Sequence, residues 1–519
     1  MSASHKMTRL PLHPLFFAAF PVLSLLAHNL VEVETDSGVR ALIVSLAVAA
    51  AATAVLGLLL RRDWTSAAVW VTCALILFFS YGQIYAALKS TVVLGVTLGR
   101  HRVLGPGLVA VAIGGFYLLR RAKDLHGTTL ILNLTGLVLV VIPMVQISDR
   151  TYRSWRAQRL MADQASTLLQ PAAGEPLPDV YVLVLDTYMR ADALQREFGF
   201  DNTPFVGELE ALGFYVATCS RSNYDYTQAS LAALLNMEYL PGLFALLEEK
   251  RLANADVWYL IRHSVVRQEL EQLGYRVFAF DSGYDWSRMV DADVYLSPRR
   301  VSPLIGTISP FEALLLRTTA ASIVLDASTI ANANRVGGIV YPYGRHIALE
   351  EFILDQLPRV VAGPGPKFVF AHLLMPHVPY VFAEDGSIRT DPGFYSGPES
   401  EPIDETYRRL GYTGEATYLN RRVLEFAQAA LRGSDVQPII VIVGDHGLRD
   451  DSRLQNLGAY LVPDSAVPDF RPSITPVNVF RTIFDASFGA SLGQLPDQSF
   501  RGEAYSSPVE ETAAECQVP

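Results

Sequence analysis

Five long runs without a charged residue lie in the first 150 residues, and they constrain the fold more than any other feature. The runs cover residues 10–31, 41–60, 64–88, 103–119 and 125–148. A helix needs roughly 20 apolar residues to cross the hydrocarbon core of a bilayer. The fourth run is the shortest and contains Gly105, Pro106 and Gly107. The sequence therefore predicts a transmembrane domain of about five helices over residues 1–148.

The lysines and arginines of the short loops predict the orientation, because cytoplasmic loops carry an excess of both. With the N-terminus inside, seven of these cations lie on the inner side and four on the outer side. Five spans place everything after residue 150 outside the cytoplasm, whereas four spans would place it inside. The excess favours five spans. We expect a multi-pass protein of the cytoplasmic (inner) membrane with a periplasmic C-terminal domain.

The charge balance differs between the two halves of the chain. Residues 1–150 carry 12 Lys and Arg against 6 Asp and Glu, whereas the remainder carries 30 against 46. An acidic domain lacks the cations that neutralise nucleic-acid phosphates, so no nucleic-acid partner is expected. None of the apolar runs contains an Asp, Glu, Lys or Arg, which ion pathways usually need. The helices are therefore interpreted as an anchor.

A basic connector follows the last apolar run, over residues 149–178. Arginines recur every three residues from Arg150 to Arg159, with Trp155 among them. A helix with this pattern lies on anionic headgroups, so the connector is interpreted as an interfacial helix and linker. An ordinary solvated linker helix is the alternative. Three prolines before residue 179 end the helix, and residues 503–519 are expected to form a polar tail.

Apolar runs typical of strands alternate with helical patterns over residues 179–502. The predicted strands are 180–185, 276–280, 367–373, 439–443 and 459–462, and the predicted helices are 227–236, 257–273, 347–357 and 418–431. Nearly continuous apolar strands separated by helices indicate an α/β domain with a buried, mostly parallel central sheet. In such sheets ligands bind beyond the carboxyl ends of the strands.

Polar residues at those carboxyl ends predict a metal centre. Asp186 follows the first strand, Asp445 and His446 follow the fourth, and Thr227 opens an apolar helix. Carboxylate and imidazole ligands together suit zinc or manganese. Coordination of a hydroxyl lowers its pKa and activates it, and a helix start offers N–H groups to an anion. This set predicts metal-assisted displacement at a tetrahedral ester with one divalent metal ion.

Each residue also has an ordinary structural interpretation. Asp186 or Thr227 alone would be read as a helix cap or turn former. His372, flanked by apolar residues, is typical of a core histidine, whereas His377 lies between prolines and is expected to face a pocket. The combination of these groups at several strand ends favours the functional interpretation.

The order Asp186, Thr227, Asp445-His446 resembles the alkaline phosphatase superfamily. With five preceding spans, the chain resembles the membrane-anchored phosphoethanolamine transferases and lipoteichoic acid synthases, whose soluble domain is sulfatase-like. The resemblance implies that these four residues bind one divalent metal. It also implies that Thr227 forms a covalent intermediate with a substituted phosphate taken from a phospholipid. His377 would contact the substrate phosphate or assist proton transfer.

That resemblance implies transfer of a phosphoethanolamine- or phosphoglycerol-type group from a phospholipid donor to an envelope glycan or lipid acceptor. A sulfatase-like hydrolase, either a phosphodiesterase or a sulfuric ester hydrolase, is the first alternative. A catalytically inactive envelope-assembly protein is the second.

The chain also departs from the family pattern. Thr187 replaces a second aspartate, and Cys219-Ser220-Arg221-Ser222 lacks the sulfatase spacing, so Cys219 is not assigned as a nucleophile. His446 is the last histidine, which argues against a second zinc site. Substrate binding is therefore assigned to His377, His372, Arg449 and Asn456.

Overall fold

A computed structural model of the chain divides it into two compact units. The described residues are 10–30, 33, 35–89, 91–93, 96–121, 125–162, 168–171, 174, 176–249, 257–298, 309–323, 335–336, 339–340, 342–394, 404–449 and 452–502. The first unit comprises residues 1–152 and 300–342, and the second comprises residues 153–299 and 343–519. Residues 300–342, which the sequence placed in the α/β domain, thus group with the first unit. The predicted boundaries at 148, 178 and 502 stay predictions, and the predicted tail lies outside the described residues.

Helices dominate the first unit. They are α1 (His13–His28), α2 (Val39–Leu59), α3 (Trp64–Leu88), α4 (His101–Arg121) and α5 (His126–Ala162), with a small hairpin of β1 (Val92–Val93) and β2 (Val96–Thr97) before α4. Within the described part of the chain, three stretches are long and apolar enough to cross a membrane, namely Asp36–Leu59, Trp64–Leu88 and Gly127–Arg153. The helix α1 is apolar but has only 16 residues. Five spans therefore remain a prediction. The connector predicted to be interfacial begins as a direct continuation of α5.

A short helix from the middle of the chain packs into this unit. The helix α12 (Pro310–Arg317) begins at Ser309, whose side chain and that of Glu312 form a reciprocal capping box. Glu312 also forms an ion pair with Arg40 at the start of α2. Phe311 is buried in an apolar cluster with Leu26 of α1. The segment of residues 309–323, called here the docking segment, is thus an integral part of the helical unit.

Backbone hydrogen bonds fix the end of the docking segment on α3. The N–H of Gly82 donates to Thr318 O at 3.1 Å, and the N–H of Ala320 donates to Phe78 O at 2.9 Å. A Cβ on Gly82 would lie 2.5 Å from the backbone of Thr318, so this approach requires glycine. A two-stranded hairpin, β7 (Arg335–Val336) with β8 (Ile339–Val340), lies in the same unit.

A seven-stranded sheet forms the centre of the second unit. Its strands are β3 (Val180–Leu185), β4 (Tyr215–Val216), β5 (Arg276–Phe280), β6 (Val294–Leu296), β9 (Lys367–Leu373), β10 (Ile439–Gly444) and β11 (Gly458–Leu461), in the order β4-β11-β10-β3-β9-β5-β6. The pairs from β10 to β6 are parallel, but β11 runs antiparallel to both β10 and β4. The sheet is therefore mixed, with an antiparallel edge that the sequence did not predict. Every residue of β3, β9 and β10 is buried, which explains their continuous apolar runs.

The helices of the second unit cover both faces of this sheet. They are α6 (Ala191–Phe198), α7 (Thr203–Ala211), α8 (Thr227–Asn236), α9 (Leu240–Glu249), α10 (Val257–Arg262), α11 (Val265–Gln272), α13 (Pro342–Val360), α14 (Glu405–Gly433) and α15 (Pro476–Phe488). All residues of α8 after Thr227 are buried, so this helix is held firmly in the core. The predicted helix over 257–273 is two helices, because the side chain of Ser264 accepts from the N–H of Arg267 and begins α11.

Candidate metal centre

Strand register brings the predicted ligands to one level of the sheet. Leu185 of β3 pairs with Gly444 of β10 on one side and with Leu373 of β9 on the other. Asp186 and Asp445 are the next residues of β3 and β10, so they leave the sheet side by side at its carboxyl edge. A Cβ on Gly444 would lie 2.1 Å from Tyr188 O, so only glycine permits the chains to approach this closely.

The two oxygens of Asp445 have different environments. Oδ1 accepts hydrogen bonds from the N–H groups of Thr187 and His446, both at 2.8 Å. Oδ2 is buried and has no hydrogen-bond partner. Thr187 holds this geometry with a left-handed backbone at φ 60°, which is unfavourable for a β-branched residue. The Tyr412 hydroxyl supports it by donating to Thr187 O at 2.8 Å.

The ring of His446 is oriented as a metal ligand would be. Its Nδ1 lies 2.8 Å from Gly447 O, which assigns the proton to Nδ1. Nε2 then carries the lone pair, and it lies 3.4 Å from Asp445 Oδ2. A backbone carbonyl that fixes the tautomer in this way is typical of ligating histidines.

Three buried side chains form a group that could hold a metal ion. One ligand atom each from Asp186, Asp445 and His446 lie within 4.8 Å of one another. Oδ1 of Asp186, like Oδ2 of Asp445, is buried without a hydrogen-bond partner. Burying unpaired carboxylate oxygens is costly, and oxygen and imidazole donors are the ligands that zinc binds. The residues present therefore fit a divalent cation.

Electrostatics at the two carboxyl groups support the same conclusion. Burial, together with the nearby charge of Asp445, raises the pKa of Asp186 well above its ordinary value. Burial also opposes ionisation of Asp445, but the influence of His446, Thr227 and His372 outweighs it and lowers the Asp445 pKa. Of these two adjacent buried carboxyl groups, Asp445 therefore ionises readily and Asp186 does not. A cation bound between them would stabilise both as anions.

Thr227 completes the predicted group of four. It is the first residue of α8, and the preceding Tyr226 has an extended backbone and makes no side-chain cap. Oγ1 of Thr227 lies 3.3 Å from Nε2 of His446. The structure therefore brings Asp186, Thr227, Asp445 and His446 together.

Two further predicted histidines lie beside this group. His372, in β9, is fully buried against Trp286, and its Nε2 lies 3.9 Å from Asp186 Oδ2. His377 is half-buried, and its Nδ1 lies 2.7 Å from Val378 O, so Nε2 carries a free lone pair. Burial lowers the pKa of each imidazole to about 4. Both rings are therefore neutral at pH 7.

The other two predicted substrate-binding residues are engaged with protein groups. Arg449 forms ion pairs with Glu405 and with Glu197. Asn456 is fully buried, and it donates to Gly444 O at 2.6 Å and accepts from Ser220 at 3.0 Å. Asn456 thus links the end of β10 to Ser220. Substrate binding by Arg449 and Asn456 stays a prediction.

Sequence reasoning missed Arg453, which lies near the centre. Its Nε donates to Asp225 O at 2.7 Å, two residues before Thr227. Its charge acts on Asp186, His377 and His446. A cation seven residues after His446 was the available signal, but the spacing alone does not show where the side chain lies.

Two polar residues of α13 were also missed. Glu350 is fully buried, and its Oε1 accepts from the N–H of Leu374 at 3.1 Å while Oε2 has no partner. Burial raises the pKa of Glu350 to about 8. His346 lies one turn earlier on α13, where burial, together with the nearby His377, lowers its pKa to about 4. The centre is thus lined on this side by groups that are neutral at pH 7.

Several solved structures are similar to this chain. The C-terminal periplasmic domain of EcEptC from Escherichia coli, in its complex with zinc, matches with a TM-score of 0.43 and 12% identity over 67% of this chain and 96% of that one. The integral membrane lipooligosaccharide phosphoethanolamine transferase A (EptA) from Neisseria meningitidis matches with a TM-score of 0.35 and 11% identity over 88% of each chain. The phosphonate monoester hydrolase of Agrobacterium radiobacter matches with a TM-score of 0.36 and 13% identity over 61% and 74%. A scan of protein-family models found no match, and neither did a search of curated proteins.

The resemblance to sulfatase-like phosphoethanolamine transferases is thus found again among solved structures. Identities of 11 to 13% with TM-scores below 0.5 transfer neither an activity nor a residue's role to this chain. Its function is therefore argued from its own residues.

Proposed function

We propose that this chain is a membrane-anchored, metal-dependent enzyme of the sulfatase-like class that transfers a substituted phosphate through a covalent intermediate on Thr227. One observation carries the proposal. The Thr227 hydroxyl lies 3.3 Å from His446 Nε2, and His446 belongs to a buried metal-ligating group with Asp186 and Asp445. A hydroxyl is a weak nucleophile at neutral pH, and a metal site beside it supplies the activation that it needs.

The first half-reaction exchanges one phosphate ester for another. A divalent cation held by these four residues would lower the pKa of the hydroxyl and neutralise charge on the phosphate. Oγ1 of Thr227 attacks phosphorus and forms a new O–P bond, while the P–O bond to the diacylglycerol of the donor breaks. The leaving oxygen takes up one proton, which balances the proton lost by Thr227. The N–H groups at the start of α8 would bind the phosphate oxygens.

The second half-reaction needs a proton acceptor, and His377 has the correct form. Its Nδ1–H is used by Val378 O, so the neutral ring presents the Nε2 lone pair. Nε2 accepts the proton of the acceptor hydroxyl, whose oxygen attacks phosphorus as the P–Oγ1 bond to Thr227 breaks. The same proton then passes from Nε2 to Oγ1, which restores both side chains. The pKa of about 4 leaves the ring unprotonated at pH 7 before this step.

The proposed partners are a phospholipid donor, with a phosphoethanolamine- or phosphoglycerol-type headgroup, and an envelope glycan or lipid acceptor. Stretches that are long enough to cross a membrane support this choice, because an anchored enzyme stays where its lipid donor is. A water-soluble ester would not require such an anchor.

The docking segment supports an extracytoplasmic location for the α/β unit. It contacts Arg40 at the start of α2 and Gly82 near the end of α3, both on the predicted outer side. The chain enters and leaves this segment without a further run long enough to span a bilayer. After α3 the chain is on the predicted outer side of the membrane. The α/β unit therefore lies on the outer side only if the chain crosses the membrane an even number of times after α3. Because α5 is long and apolar enough to cross, the proposed location requires that α4 crosses as well.

The cysteines give independent support for this location. Cys219 of the α/β unit is disulfide-bonded, whereas Cys73 of α3 is a free thiol. The third cysteine of the chain, Cys516, lies outside the described residues. Disulfides persist in oxidising compartments such as the bacterial periplasm.

Mass spectrometry of the purified protein after incubation with phospholipid tests the proposal. We expect an adduct on Thr227 whose mass identifies the transferred group, no adduct or turnover in Thr227→Ala, and a retained adduct in Thr227→Ser. Wild-type turnover in Thr227→Ala would exclude the nucleophile assignment. An adduct that is released only to water would indicate the hydrolase, and a protein that binds no metal would indicate the inactive assembly role.

A further inference from the structure

The side chain of Arg453 is fixed between the two segments that hold the nucleophile and the histidine ligand. Nε donates to Asp225 O at 2.7 Å, two residues before Thr227. Nη1 lies 3.4 Å from Leu448 O, two residues after His446. These bonds orient the guanidinium without using Nη2. Among the residues that the structure describes, none gives Nη2 a hydrogen-bond partner.

The charge of Arg453 is also not neutralised by a described carboxylate. Arg449, four residues earlier, forms ion pairs with two glutamates, whereas no ion pair joins Arg453 to an acidic side chain in the described part of the chain. The carboxylate of Asp225 instead accepts from the N–H of Gly502 at 3.1 Å. Arg453 is half-buried, so water screens its charge less than it would at the surface.

The two backbone carbonyls that hold this guanidinium lie close to the metal centre in the chain. Asp225 is two residues before Thr227, and Leu448 is two residues after His446. A cation held between these two segments lies beside the position at which a phosphate would meet Thr227.

We infer that Arg453 binds the non-bridging oxygens of the substrate phosphate. This inference rests on the proposed function. A planar guanidinium presents paired donors that match phosphate oxygens. Nη2, for which the described residues supply no hydrogen-bond partner, is the donor available to such an oxygen, and the charge of Arg453 attracts the phosphate anion.

Binding of diphenyl phosphate, a diester whose leaving groups are poorer than 4-nitrophenol, tests the inference on the full-length zinc-loaded protein. Calorimetry should show roughly 10–100-fold weaker binding in Arg453→Gln, because a charge-assisted hydrogen bond is lost. Arg453→Lys should bind at least about 3-fold more weakly than wild type, since lysine keeps the charge but lacks the paired donors of the guanidinium. The matched control is Arg432→Gln, because Arg432 is exposed at the end of α14 and should leave binding unchanged. Zinc content should be the same in all variants.

Turnover of a chromogenic diester gives a second readout. The kcat/KM for bis(4-nitrophenyl) phosphate should fall at least about 10-fold in Arg453→Gln. Unchanged diphenyl phosphate affinity in Arg453→Gln, with zinc content and the Thr227 adduct intact, would overturn the inference while the proposed function stands. If Arg453→Gln does not fold, wild-type affinity in Arg453→Lys would overturn it equally. Loss of the Thr227 adduct in wild type would instead contradict the proposed function.

Discussion

At the scale of single residues, Asp445 shows how one side chain can serve the scaffold and the metal separately. Oδ1 is used by two backbone N–H groups, and only Oδ2 is left for a cation. A substitution to alanine would remove both functions together. Asparagine keeps the accepting oxygen and replaces the other, so Asp445→Asn separates metal binding from folding.

We predict that Asp445→Asn loses the metal and keeps the fold. Loss of a direct ligand should weaken zinc binding by more than the roughly 10–100-fold that follows loss of an outer hydrogen-bond partner. Elemental analysis of the purified variant measures the metal, and circular dichroism checks the fold. Asp192→Asn is the matched control, since Asp192 pairs with Arg190. A full complement of zinc in Asp445→Asn would refute the ligand assignment.

Glu350 should make the metal-free protein less stable as the pH rises. Its pKa is raised from 4.5 to about 8, so the native state binds a proton that the unfolded state has released between these values. Stability from this group is therefore complete below pH 4.5 and declines as the pH rises towards 8. The cost is about 3 kcal/mol at pH 7. Glutamine can still accept from the N–H of Leu374 and removes the charge.

We therefore predict that Glu350→Gln raises the thermal midpoint at pH 7 to 8 and has little effect at pH 4.5. Thermal unfolding of the detergent-solubilised, metal-free protein across this range measures the difference. Glu210→Gln, at an exposed position, should leave the pH dependence unaltered. Equal midpoints for Glu350→Gln and wild type at pH 8 would mean that the buried carboxyl is not protonated there.

The ligands could be found from the sequence, whereas the residues around them could not. Asp186 and Asp445 directly follow apolar strands, and parallel strands end at a common edge. Glu350 lies within a helix, and Arg453 lies in a loop. Their distances from the metal centre depend on how α13 and that loop pack, and no local pattern encodes this.

At the scale of elements, the antiparallel direction of strand β11 could have been predicted from the connection that precedes it. Thirteen residues, 445–457, separate β11 from β10, and no helix lies among those of them that the structure describes. A crossover between parallel strands is usually a helix, and this connection shows no helical pattern. The predicted strand at 459–462 therefore should have been expected to pair antiparallel. The strands flanked by helices were predicted correctly, because their burial on both faces gives continuous apolar runs.

The contact between α3 and the docking segment depends on Gly82, and it gives a prediction at this scale. A Cβ there would lie 2.5 Å from the Thr318 backbone, so Gly82→Val should cost roughly 1–3 kcal/mol or displace the segment. Hydrogen exchange of residues 318–323 should then increase. Gly114→Val in α4 is the control, because a Cβ at Gly114 meets nothing within 4 Å. Unchanged protection in Gly82→Val would show that the segment does not dock on α3.

At the scale of the whole molecule, the division into two units follows from the composition of the chain, with one exception. Residues 1–150 are apolar enough to indicate membrane helices from the sequence alone. Residues 300–342 lie between α/β elements and carry no apolar run of spanning length, so nothing local assigns them to the helical unit. Their assignment rests on tertiary contacts, such as the ion pair of Arg40 with Glu312.

Those contacts yield a prediction about topology. If the docking segment lies at the outer ends of α2 and α3, then Glu208 in α7 is outside the cytoplasm and Arg62, between α2 and α3, is inside. Cysteines introduced as Glu208→Cys and Arg62→Cys can be compared with a membrane-impermeant thiol reagent, because both positions are exposed and Cys219 is already disulfide-bonded. We expect Glu208→Cys to react in spheroplasts and Arg62→Cys to react only after lysis. Reaction of Glu208→Cys only after lysis would place the metal centre in the cytoplasm, where neither a stable disulfide nor an envelope acceptor is available. It would also show that α4 does not cross the membrane.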